Sequence, residues 1–370
     1  FLDKRIVSKD PEVFLSRSTR RSSLMIKGTS GTTGFPLRVY WSRTANDWER
    51  ALIWRQRTAA GCSMGHDWRG MLGGHRIVPL RQKEPPFWRE SVVARLSYVS
   101  TFHISPSNAP AYLAYIEKRG IGYLTGYPSA LYALALSMKD CGLKSALRGA
   151  FFGAEPMHSF QRSLIEDVFQ CYVWDYYGLT ERVVSASEFE CRNGLHVNWE
   201  NSFFEIVDER GAPIEPGGYG ELVGTSLSNT AFTLLRYRTG DMTRLLPGDC
   251  TCGRCSSRMA PIGTKLEDLL RLPDGTLLSA SNLTFPFKAA RNIRQSQIYQ
   301  PSETEVVIRV VPDTGFTEQE GSMLLAGLRG LFPPGIALSL ELVGGIARTS
   351  SGKYAFCVSD VTRGDSVRRG

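Results

Sequence analysis

A seven-residue segment near the start of the chain has the composition of a phosphate-binding loop. It contains only glycine and hydroxyl-bearing residues, in the order Gly28, Thr29, Ser30, Gly31, Thr32, Thr33 and Gly34. Such residues contribute nothing to a core, but their unhindered backbone N–H groups and hydroxyls can surround a polyanion. A segment of this kind also occurs as a flexible connector. It is not a P-loop of the GxxxxGK[ST] type, because Phe35 follows the last glycine. We predict a loop that handles a triphosphate.

Composition narrows the class of protein in which this loop lies. The chain has 370 residues, which favours one large and one small domain. No apolar run approaches the roughly 18 residues of a membrane span, and residues 1–20 carry charges where a signal peptide would be apolar. The net charge of +8 is scattered without a long basic run, so nucleic-acid binding is not expected. We therefore predict a cytoplasmic protein that binds neither membranes nor nucleic acid.

The first two thirds of the chain have an α/β pattern. Short β-branched or aromatic runs alternate with helical patterns, which predicts layered sheets and helices. Residues 23–27 and 37–41 would form a hairpin that carries the glycine loop at its tip. The first helix is predicted to be capped by Asn108 and to run through Arg119, with Gly120 as its stop signal. Further helices are predicted over residues 128–141 and 157–169, and strands over residues 122–124, 148–152 and 171–176.

The pattern changes twice in the last half of the chain. From residue 185 onward it predicts β-hairpins, and after residue 267 it predicts a smaller α+β unit. That unit would contain a hairpin at 273–275, strands over 305–311 and 337–343, and a helix over 318–331. We therefore predict an α/β fold with two domains. The large N-terminal domain, 1–266, would combine layered α/β sheets with a β-hairpin subdomain, and a small, mobile α+β domain would occupy 267–370.

Four further segments are polar or rich in glycine where a core is expected. They are Gly153-Ala154-Glu155-Pro156, Tyr176-Tyr177-Gly178-Leu179-Thr180-Glu181, residues 236–241 with Asp241 at the end, and residues 348–353 with Lys353 at the end. Two of them directly follow predicted strands, where open α/β sheets place their ligands. Each one alone has an ordinary structural explanation, since Glu155 can begin a helix, Asp241 can close a turn and Lys353 can lie in solvent.

Taken together and in this order, the five segments resemble the ANL adenylating superfamily, in its phenylacetate–CoA ligase-like branch. The resemblance covers about residues 20–360, and it extends to residues 126–129 and to the strand at 195–200. It implies an enzyme that activates a carboxylic acid with ATP as an acyl adenylate and releases pyrophosphate. Members of the family usually then pass the acyl group to a thiol.

The resemblance also implies roles for individual residues. The loop from Thr29 to Gly34 would hold the β- and γ-phosphates, Glu181 would bind Mg²⁺, and Thr180 would hydrogen-bond the α-phosphate. Asp241 would bind both ribose hydroxyls, and Lys353 would bridge the carboxylate and the α-phosphate as charge builds there. The adenine and the rest of the nucleotide would contact a further set of residues, namely Gly153, Ala154, Glu155, Tyr176, Tyr177, Gly178 and Lys265.

Three positions differ from the pattern of the family. The glycine loop of the family usually carries Lys where this chain has Phe35. The arginine of the family at the domain joint is replaced by Lys265, which keeps the charge but loses the planar fork. The hinge aspartate falls at Glu267. These differences at the joint between the domains weaken the prediction of thiol transfer more than the prediction of adenylation.

The cysteines suggest a metal site. Cys250, Cys252 and Cys255 lie within six residues on a tight turn, which is close to zinc-ribbon spacing but supplies only half of such a pattern. Cys191 and His196 flank the turn of the preceding hairpin, and relatives with a similar cysteine turn tend to carry such a pair. Four of these five residues would form a structural Zn²⁺ site without an open position for catalysis. The alternative is a set of reduced, unliganded thiols.

The leading hypothesis is an AMP-forming ligase that joins an aromatic or other apolar acid to coenzyme A. The resemblance places Tyr127 in the wall of its acyl pocket, and the enzyme could form a homodimer. In one alternative, the acceptor is the thiol of an acyl carrier protein or an amine. In another, the chain is a nucleotide-binding protein that has lost turnover, although Glu181, Asp241 and Lys353 argue against this.

Overall fold

The structure is a computed structural model, and it describes residues 1–28, 37–157, 159–208, 210–262, 269–274, 277–279, 283, 286–287, 290, 292–346 and 356–361. Within these residues the chain builds one large sheet of twelve strands, a four-stranded sheet near the C-terminus and two small two-stranded sheets. No helix in the described part of the chain is long and apolar enough to cross a membrane.

The elements follow one another along the chain with short connections. The helices are α1 Lys4–Lys9, α2 Arg43–Ala59, α3 Ala109–Arg119, α4 Pro128–Asp140, α5 Ser159–Phe169 and α6 Glu318–Arg329, with 3₁₀ turns at Pro11–Phe14 and Arg21–Ser23. The strands are β1 Met25–Gly28, β2 Arg38–Trp41, β3 Trp68–Leu72, β4 Trp88–Ser91, β5 Leu96–Val99, β6 Ile121–Gly126, β7 Gly149–Gly153, β8 Val173–Gly178, β9 Ser185–Glu188, β10 Leu195–Val197, β11 Ser202–Val207, β12 Tyr219–Ser226, β13 Tyr237–Leu246, β14 Arg258–Met259, β15 Leu269–Arg271, β16 Leu277–Ser279, β17 Ile293–Ser302, β18 Glu305–Pro312, β19 Ala337–Leu342 and β20 Cys357–Ser359.

The large sheet has helices on both faces. Its parallel part has the order β5-β3-β6-β7-β8. Successive residues of a strand point to opposite faces, so Leu124 and Phe152 enter the core with α3, α4 and α5, whereas Tyr123 and Phe151 pack with Trp54 of α2 on the other side. The layered α/β class predicted from the sequence is confirmed.

The predicted hairpins after residue 185 are present, and they continue the large sheet. β9 pairs antiparallel with β8, so that Tyr176 lies opposite Ser187, and the hairpins extend the sheet from there in the order β9-β10-β14-β13-β12-β11. The hairpin of β1 and β2 is also present, with Met25 opposite Trp41 and Gly28 opposite Arg38.

The C-terminal unit is the small α+β structure that the sequence predicts. Its sheet has the order β19-β18-β17-β20, and α6 packs on it through Leu324 and Leu328. A capping box between Thr317 and Glu320 begins α6. The predicted boundary between 266 and 267 stays a prediction, because residues 263–268 lie outside the described residues.

A few element ends differ from the prediction. α4 ends at Asp140 and not at 141, α5 begins at Ser159 and not at 157, and α6 ends at Arg329 and not at 331. The Asn108 side chain does not cap α3, since its amide donates to the carbonyl oxygen of His103 at 2.9 Å. Gly120 does end α3, with a φ of +66° that favours glycine.

Candidate active site and metal cluster

Three neighbouring parallel strands end in glycine at one edge of the large sheet. These strands are β6, β7 and β8, and they end at Gly126, Gly153 and Gly178. A Cβ on Gly126 would lie 2.4 Å from the carbonyl oxygen of Leu72, and one on Gly153 would lie 2.7 Å from that of Tyr176. Larger residues would therefore push the strands apart. Because open α/β sheets bind ligands beyond the carboxyl ends of their strands, this edge is the candidate site.

The segments after β6 and β7 meet at this edge. Ala154 has a φ of +69°, a left-handed conformation that turns the chain sharply after β7. Glu155 follows, and its Oε2 accepts a hydrogen bond from the backbone N–H of Ser129 at 3.3 Å. Burial, and secondly the charge of Glu155, raise the pKa of Tyr127. The structure thus brings Glu155 and Tyr127 together.

Tyr177 connects β8 to β13. Its hydroxyl donates to Oδ2 of Asp241 at 2.8 Å. Burial, followed by the charge of Asp241, raises the pKa of Tyr177 well above its usual value, so the phenol remains a neutral donor. An irregularity in the pairing of β12 with β13 determines the position of Asp241. Gly240 has a φ of +75° there, and the hydroxyl of Thr239 accepts a hydrogen bond from the N–H of Asp241.

Glu181 lies close to the same pair of strands. Only 7% of Glu181 is exposed, and its Oε1 accepts a hydrogen bond from the hydroxyl of Tyr237 at 3.0 Å. Burial, and then the charge of Glu181, raise the pKa of Tyr237 above its usual range. Tyr177 and Tyr237 each interact electrostatically with both Glu181 and Asp241. The two predicted acidic residues therefore converge.

The turn that carries Thr180 is tied to the β1–β2 hairpin. The indole Nε1 of Trp41 donates to the carbonyl oxygen of Thr180 at 2.8 Å. The guanidinium of Arg182 lies 3.5 Å from the centroid of the Trp41 ring. Since β2 pairs with β1 through Gly28, the hairpin that begins the predicted phosphate loop is fixed to the turn that carries Glu181.

Tyr176 takes a different direction from Tyr177. Its hydroxyl donates to Oε1 of Glu49 on α2 at 2.8 Å, as expected for successive residues of one strand. Burial raises the pKa of Glu49. The hydroxyl of Tyr176 thus contacts Glu49 and not the Tyr177–Asp241 pair, and its contact with the nucleotide stays a prediction.

Several predicted site residues lie outside the described residues. They are the loop residues Thr29, Ser30, Gly31, Thr32, Thr33 and Gly34, the joint residues Lys265 and Glu267, and the C-terminal Lys353. Their roles remain predictions.

Four of the five predicted metal ligands form a cluster. The ligand atoms of Cys191, His196, Cys250 and Cys252 all lie within 4.8 Å of one another. Nε2 of His196 is 3.4 Å from Sγ of Cys191 and 3.6 Å from Sγ of Cys252. Ligands about 2.0–2.3 Å from a tetrahedral zinc ion stand roughly 3.3–3.8 Å apart, so the two distances from Nε2 of His196 fit such an ion.

The surroundings of the cluster favour metal binding. Nδ1 of His196 is 3.1 Å from the hydroxyl of Ser256, a contact that orients the ring and leaves Nε2 facing the thiols. Burial alone raises the pKa of Cys252, but hydrogen bonds from the backbone and side chain of Arg254 bring it down to about 7. Because thiolates are the form that binds zinc, this shift favours metal binding at Cys252, whereas burial raises the pKa of Cys191 to about 11.

Cys255 is not part of this cluster. It is exposed, and its Sγ is 3.9 Å from the carbonyl oxygen of Gly253. The prediction left open which four of the five residues meet, and spacing along the chain alone does not decide between Cys255 and its neighbours. Which of the cysteines meet His196 depends on how the turn before β14 folds against the β9–β10 hairpin.

The sequence analysis missed two residues that shape the site. Tyr237 lies inside the segment 236–241 that was singled out, and its position four residues before Asp241 was the available signal. Trp41 lies at the end of a predicted strand and gave no signal of its contact with Thr180, which is 139 positions away.

The chain is similar in sequence to several known proteins. The family model described as the CapK C-terminal domain matches residues 270–360. A phenylacetate–coenzyme A ligase of Thermus thermophilus is 37% identical over 151 residues, which are 39% of this chain and 34% of that protein. Protein CapK of Staphylococcus aureus is 24% identical over 353 residues, which cover 93% of this chain and 76% of CapK. The matched segment thus spans about a third of the length of the Thermus ligase.

The fold has counterparts among solved structures. A 2-hydroxyisobutyryl-CoA ligase, in complex with its acyl adenylate and CoA in the thioesterification state, superimposes with a TM-score of 0.56. The superposition covers all of this chain and 82% of that one at 18% identity, so it establishes a shared fold.

Proposed function

The chain belongs to the ANL superfamily of adenylate-forming enzymes, in its phenylacetate–CoA ligase-like branch, and we propose on this basis that it is an AMP-forming acid–CoA ligase. In the first step a carboxylate oxygen attacks the α-phosphorus of ATP, forming the acyl adenylate and expelling pyrophosphate. In the second step the thiol of coenzyme A attacks the acyl carbon, forming the thioester and expelling AMP.

One observation carries this proposal. Glu181 and Asp241 are 60 positions apart in sequence, yet Tyr177 and Tyr237 connect both of them at one edge of the large sheet. A nucleotide bound there would place its ribose against Asp241, whose carboxylate can accept from both hydroxyls. Its phosphates would then extend toward Glu181, which suits a hard cation such as Mg²⁺.

The chemistry explains why such residues are needed. The attacking carboxylate and the α-phosphate are both negative, so catalysis depends on alignment and on neutralising charge. We assign the alignment to the 28–34 loop, Thr180 and Asp241. When bound, Mg²⁺ would offset the phosphate charge beside Glu181. Lys353 would add a positive charge between the carboxylate and the α-phosphate.

The acid is proposed to be aromatic or otherwise apolar. Tyr127 is half-buried against the main core and directly follows β6, at the same edge as the candidate nucleotide site. Burial keeps its phenol neutral, because it raises the pKa of Tyr127. An apolar ring beside it would avoid the cost of stripping water from a polar acid chain.

We also propose that Cys191, His196, Cys250 and Cys252 hold a structural Zn²⁺ ion. All four positions of a tetrahedral ion would be filled by protein, which leaves none for a substrate. The ion would fasten the β9–β10 hairpin to the turn before β14. β9 pairs with β8, which carries Tyr177, so the ion would stiffen the strand beside the site without taking part in the reaction.

The test is a panel of carboxylic acids that includes phenylacetate, phenylpropanoate, benzoate and acetate. Each acid is incubated with Mg·ATP, and pyrophosphate, AMP and thioester are measured with and without coenzyme A. The proposal predicts pyrophosphate release with an aromatic acid and thioester formation when coenzyme A is added. Acyl adenylate that coenzyme A does not consume would instead favour a carrier-protein thiol or an amine as acceptor. ATP binding without turnover of any acid would contradict the proposal.

A further inference from the structure

The N-terminal segment is fixed beside the candidate nucleotide site. Leu2 forms a parallel bridge with Tyr237, in which its N–H donates to the carbonyl oxygen of Arg236 at 3.1 Å and its own carbonyl accepts from Arg238 at 2.8 Å. Asp3 then caps α1 by accepting from the N–H of Ile6 at 2.7 Å. The first residue of α1 therefore has a defined position next to the strand that carries Asp241.

Packing holds the rest of α1 in the same place. Val7 is 0% exposed and belongs to a cluster with Val39 of β2 and Tyr237 of β13. The cluster joins α1, the β1–β2 hairpin and β13. These are the elements that lead to the predicted phosphate loop and to the acidic pair.

The first residue of α1 is Lys4, two positions after the Leu2–Tyr237 bridge, and its charge interacts with that of Glu181. Lys4 is half-buried. Burial lowers the pKa of Lys4 to about 8, and the carboxylate of Glu181 acts against that shift. The hydroxyl of Tyr237 donates to the same carboxylate at 3.0 Å, so Lys4 and Tyr237 both act on Glu181.

We propose that Lys4 is a phosphate-binding residue of the nucleotide site, which brings a positive charge from the N-terminal helix to the polyphosphate of ATP. This inference rests on the proposed function. Residues 28–36 contain no lysine or arginine, so the predicted phosphate loop supplies no cationic side chain of its own. Lys4 interacts electrostatically with the residue proposed to hold Mg²⁺, where a polyphosphate would pass.

Charge balance supports this role. One carboxylate does not neutralise both a lysine and a divalent cation, so Lys4 and Mg²⁺ beside Glu181 would repel each other. A polyphosphate between them supplies the missing negative charge. Without nucleotide, Lys4 offsets the charge of Glu181; with Mg·ATP bound, it donates to phosphate oxygens.

The test compares Lys4→Met and Lys4→Arg with the matched control Lys9→Met, which alters an exposed lysine of the same helix. Calorimetry measures the Kd of Mg·ATP and of AMP for each. A charged hydrogen bond lost to phosphate should raise the Kd of Mg·ATP at least about tenfold in Lys4→Met, with little change for AMP. Lys4→Arg and Lys9→Met should remain close to wild type. An unchanged Kd for Mg·ATP, or an equal loss for both nucleotides, would overturn the proposal.

A second measurement uses the wild-type protein, in case Lys4→Met does not fold. Lysine acetylation is mapped by mass spectrometry with Mg·ATP, with AMP and without nucleotide. Mg·ATP should protect Lys4 more than AMP does, and it should not protect Lys9. Equal acetylation of Lys4 in all three samples would overturn the inference about Lys4 alone, provided that calorimetry shows Mg·ATP bound. A wild-type protein that binds no Mg·ATP would overturn the proposed function as well.

Discussion

Trp41 and Thr180 are 139 positions apart and are joined by a hydrogen bond of 2.8 Å from the indole Nε1 to the carbonyl oxygen. This bond links the end of β2 to the turn that carries Glu181. The guanidinium of Arg182 covers the ring, so the link is also packed. The hairpin that leads into the predicted phosphate loop and the proposed magnesium ligand therefore share one rigid support.

Trp41→Phe should loosen this support. The ring remains, but the donor is lost, which should cost about 1 kcal/mol of folding stability. We expect a KM for ATP several times higher, with a smaller change in kcat. Trp48→Phe is the matched control, since Trp48 is 43% exposed on α2. Steady-state kinetics and thermal unfolding would check this, and equal kinetics in the two variants would argue against the link.

Glu181→Gln should abolish adenylation while keeping the fold. The glutamine oxygen can still accept from Tyr237, so the packing is retained, but the charge that would hold Mg²⁺ is gone. Acid-dependent ATP–pyrophosphate exchange should fall at least about 100-fold. The exposed Glu215 provides the control, as Glu215→Gln. A folded Glu181→Gln variant with normal exchange would show that Glu181 has another role.

Lys353→Ala should separate nucleotide binding from chemistry. We expect Mg·ATP to bind with nearly wild-type affinity, whereas pyrophosphate exchange should fall at least about 100-fold, because the charge that builds at the α-phosphate loses its cation. The measurements are calorimetry and exchange on the same preparation. Lys118→Ala, at an exposed position of α3, serves as the control. Normal exchange in Lys353→Ala would contradict the role proposed for this residue.

The cysteine cluster predicts that the protein contains zinc, and two cysteine variants test which residues bind it. Elemental analysis of chelator-free protein should find about one zinc ion per chain. Cys252→Ser should lose the ion and melt at a lower temperature, whereas Cys255→Ser should keep it, because Cys255 lies outside the cluster. Equal zinc content in both variants would rule out the proposed ligand set. Wild-type protein without zinc would indicate reduced thiols.

Asp175 makes the stability of the large sheet dependent on pH. Burial, and secondly the charge of Glu188, raise the pKa of Asp175 from 3.8 to about 8, although Arg162 acts in the opposite direction. The folded state therefore binds more protons than the unfolded state between these values, and the free energy of unfolding should fall as pH rises through the window. Asp175→Asn should flatten this dependence in urea titrations, and Asp140→Asn, at the exposed end of α4, should not. A steep dependence that remains in Asp175→Asn would contradict the assignment.

Local signals in the sequence predicted most of the elements around the site. The hairpin of β1 and β2, the glycine that ends α3 and the start of α6 at Glu318 all depend on residues close together in the chain. Of the elements before residue 100, the sequence analysis did not identify α1, α2 or the strands β3, β4 and β5. β4 and β5 are four residues each, too short to show a clear alternation.

Contacts between distant segments were harder to predict. The segments containing Glu181 and Asp241 were found as motifs, but the tyrosines that connect them depend on β13 running beside β12 with a bulge at Gly240. The exclusion of Cys255 likewise depends on the turn before β14. The side chains of Tyr176 and Tyr177 point to opposite faces because successive residues of a strand alternate. The predicted strand ended at residue 176, whereas β8 continues to Gly178 and so includes both tyrosines.

The most direct test of the central claim is a crystal structure with Mg²⁺ and a non-hydrolysable ATP analogue. The account predicts both ribose hydroxyls within hydrogen-bond distance of the Asp241 carboxylate and the metal ion beside Glu181, at the edge formed by Gly126, Gly153 and Gly178. A nucleotide bound elsewhere, with Asp241 and Glu181 contacting only Tyr177 and Tyr237, would contradict it.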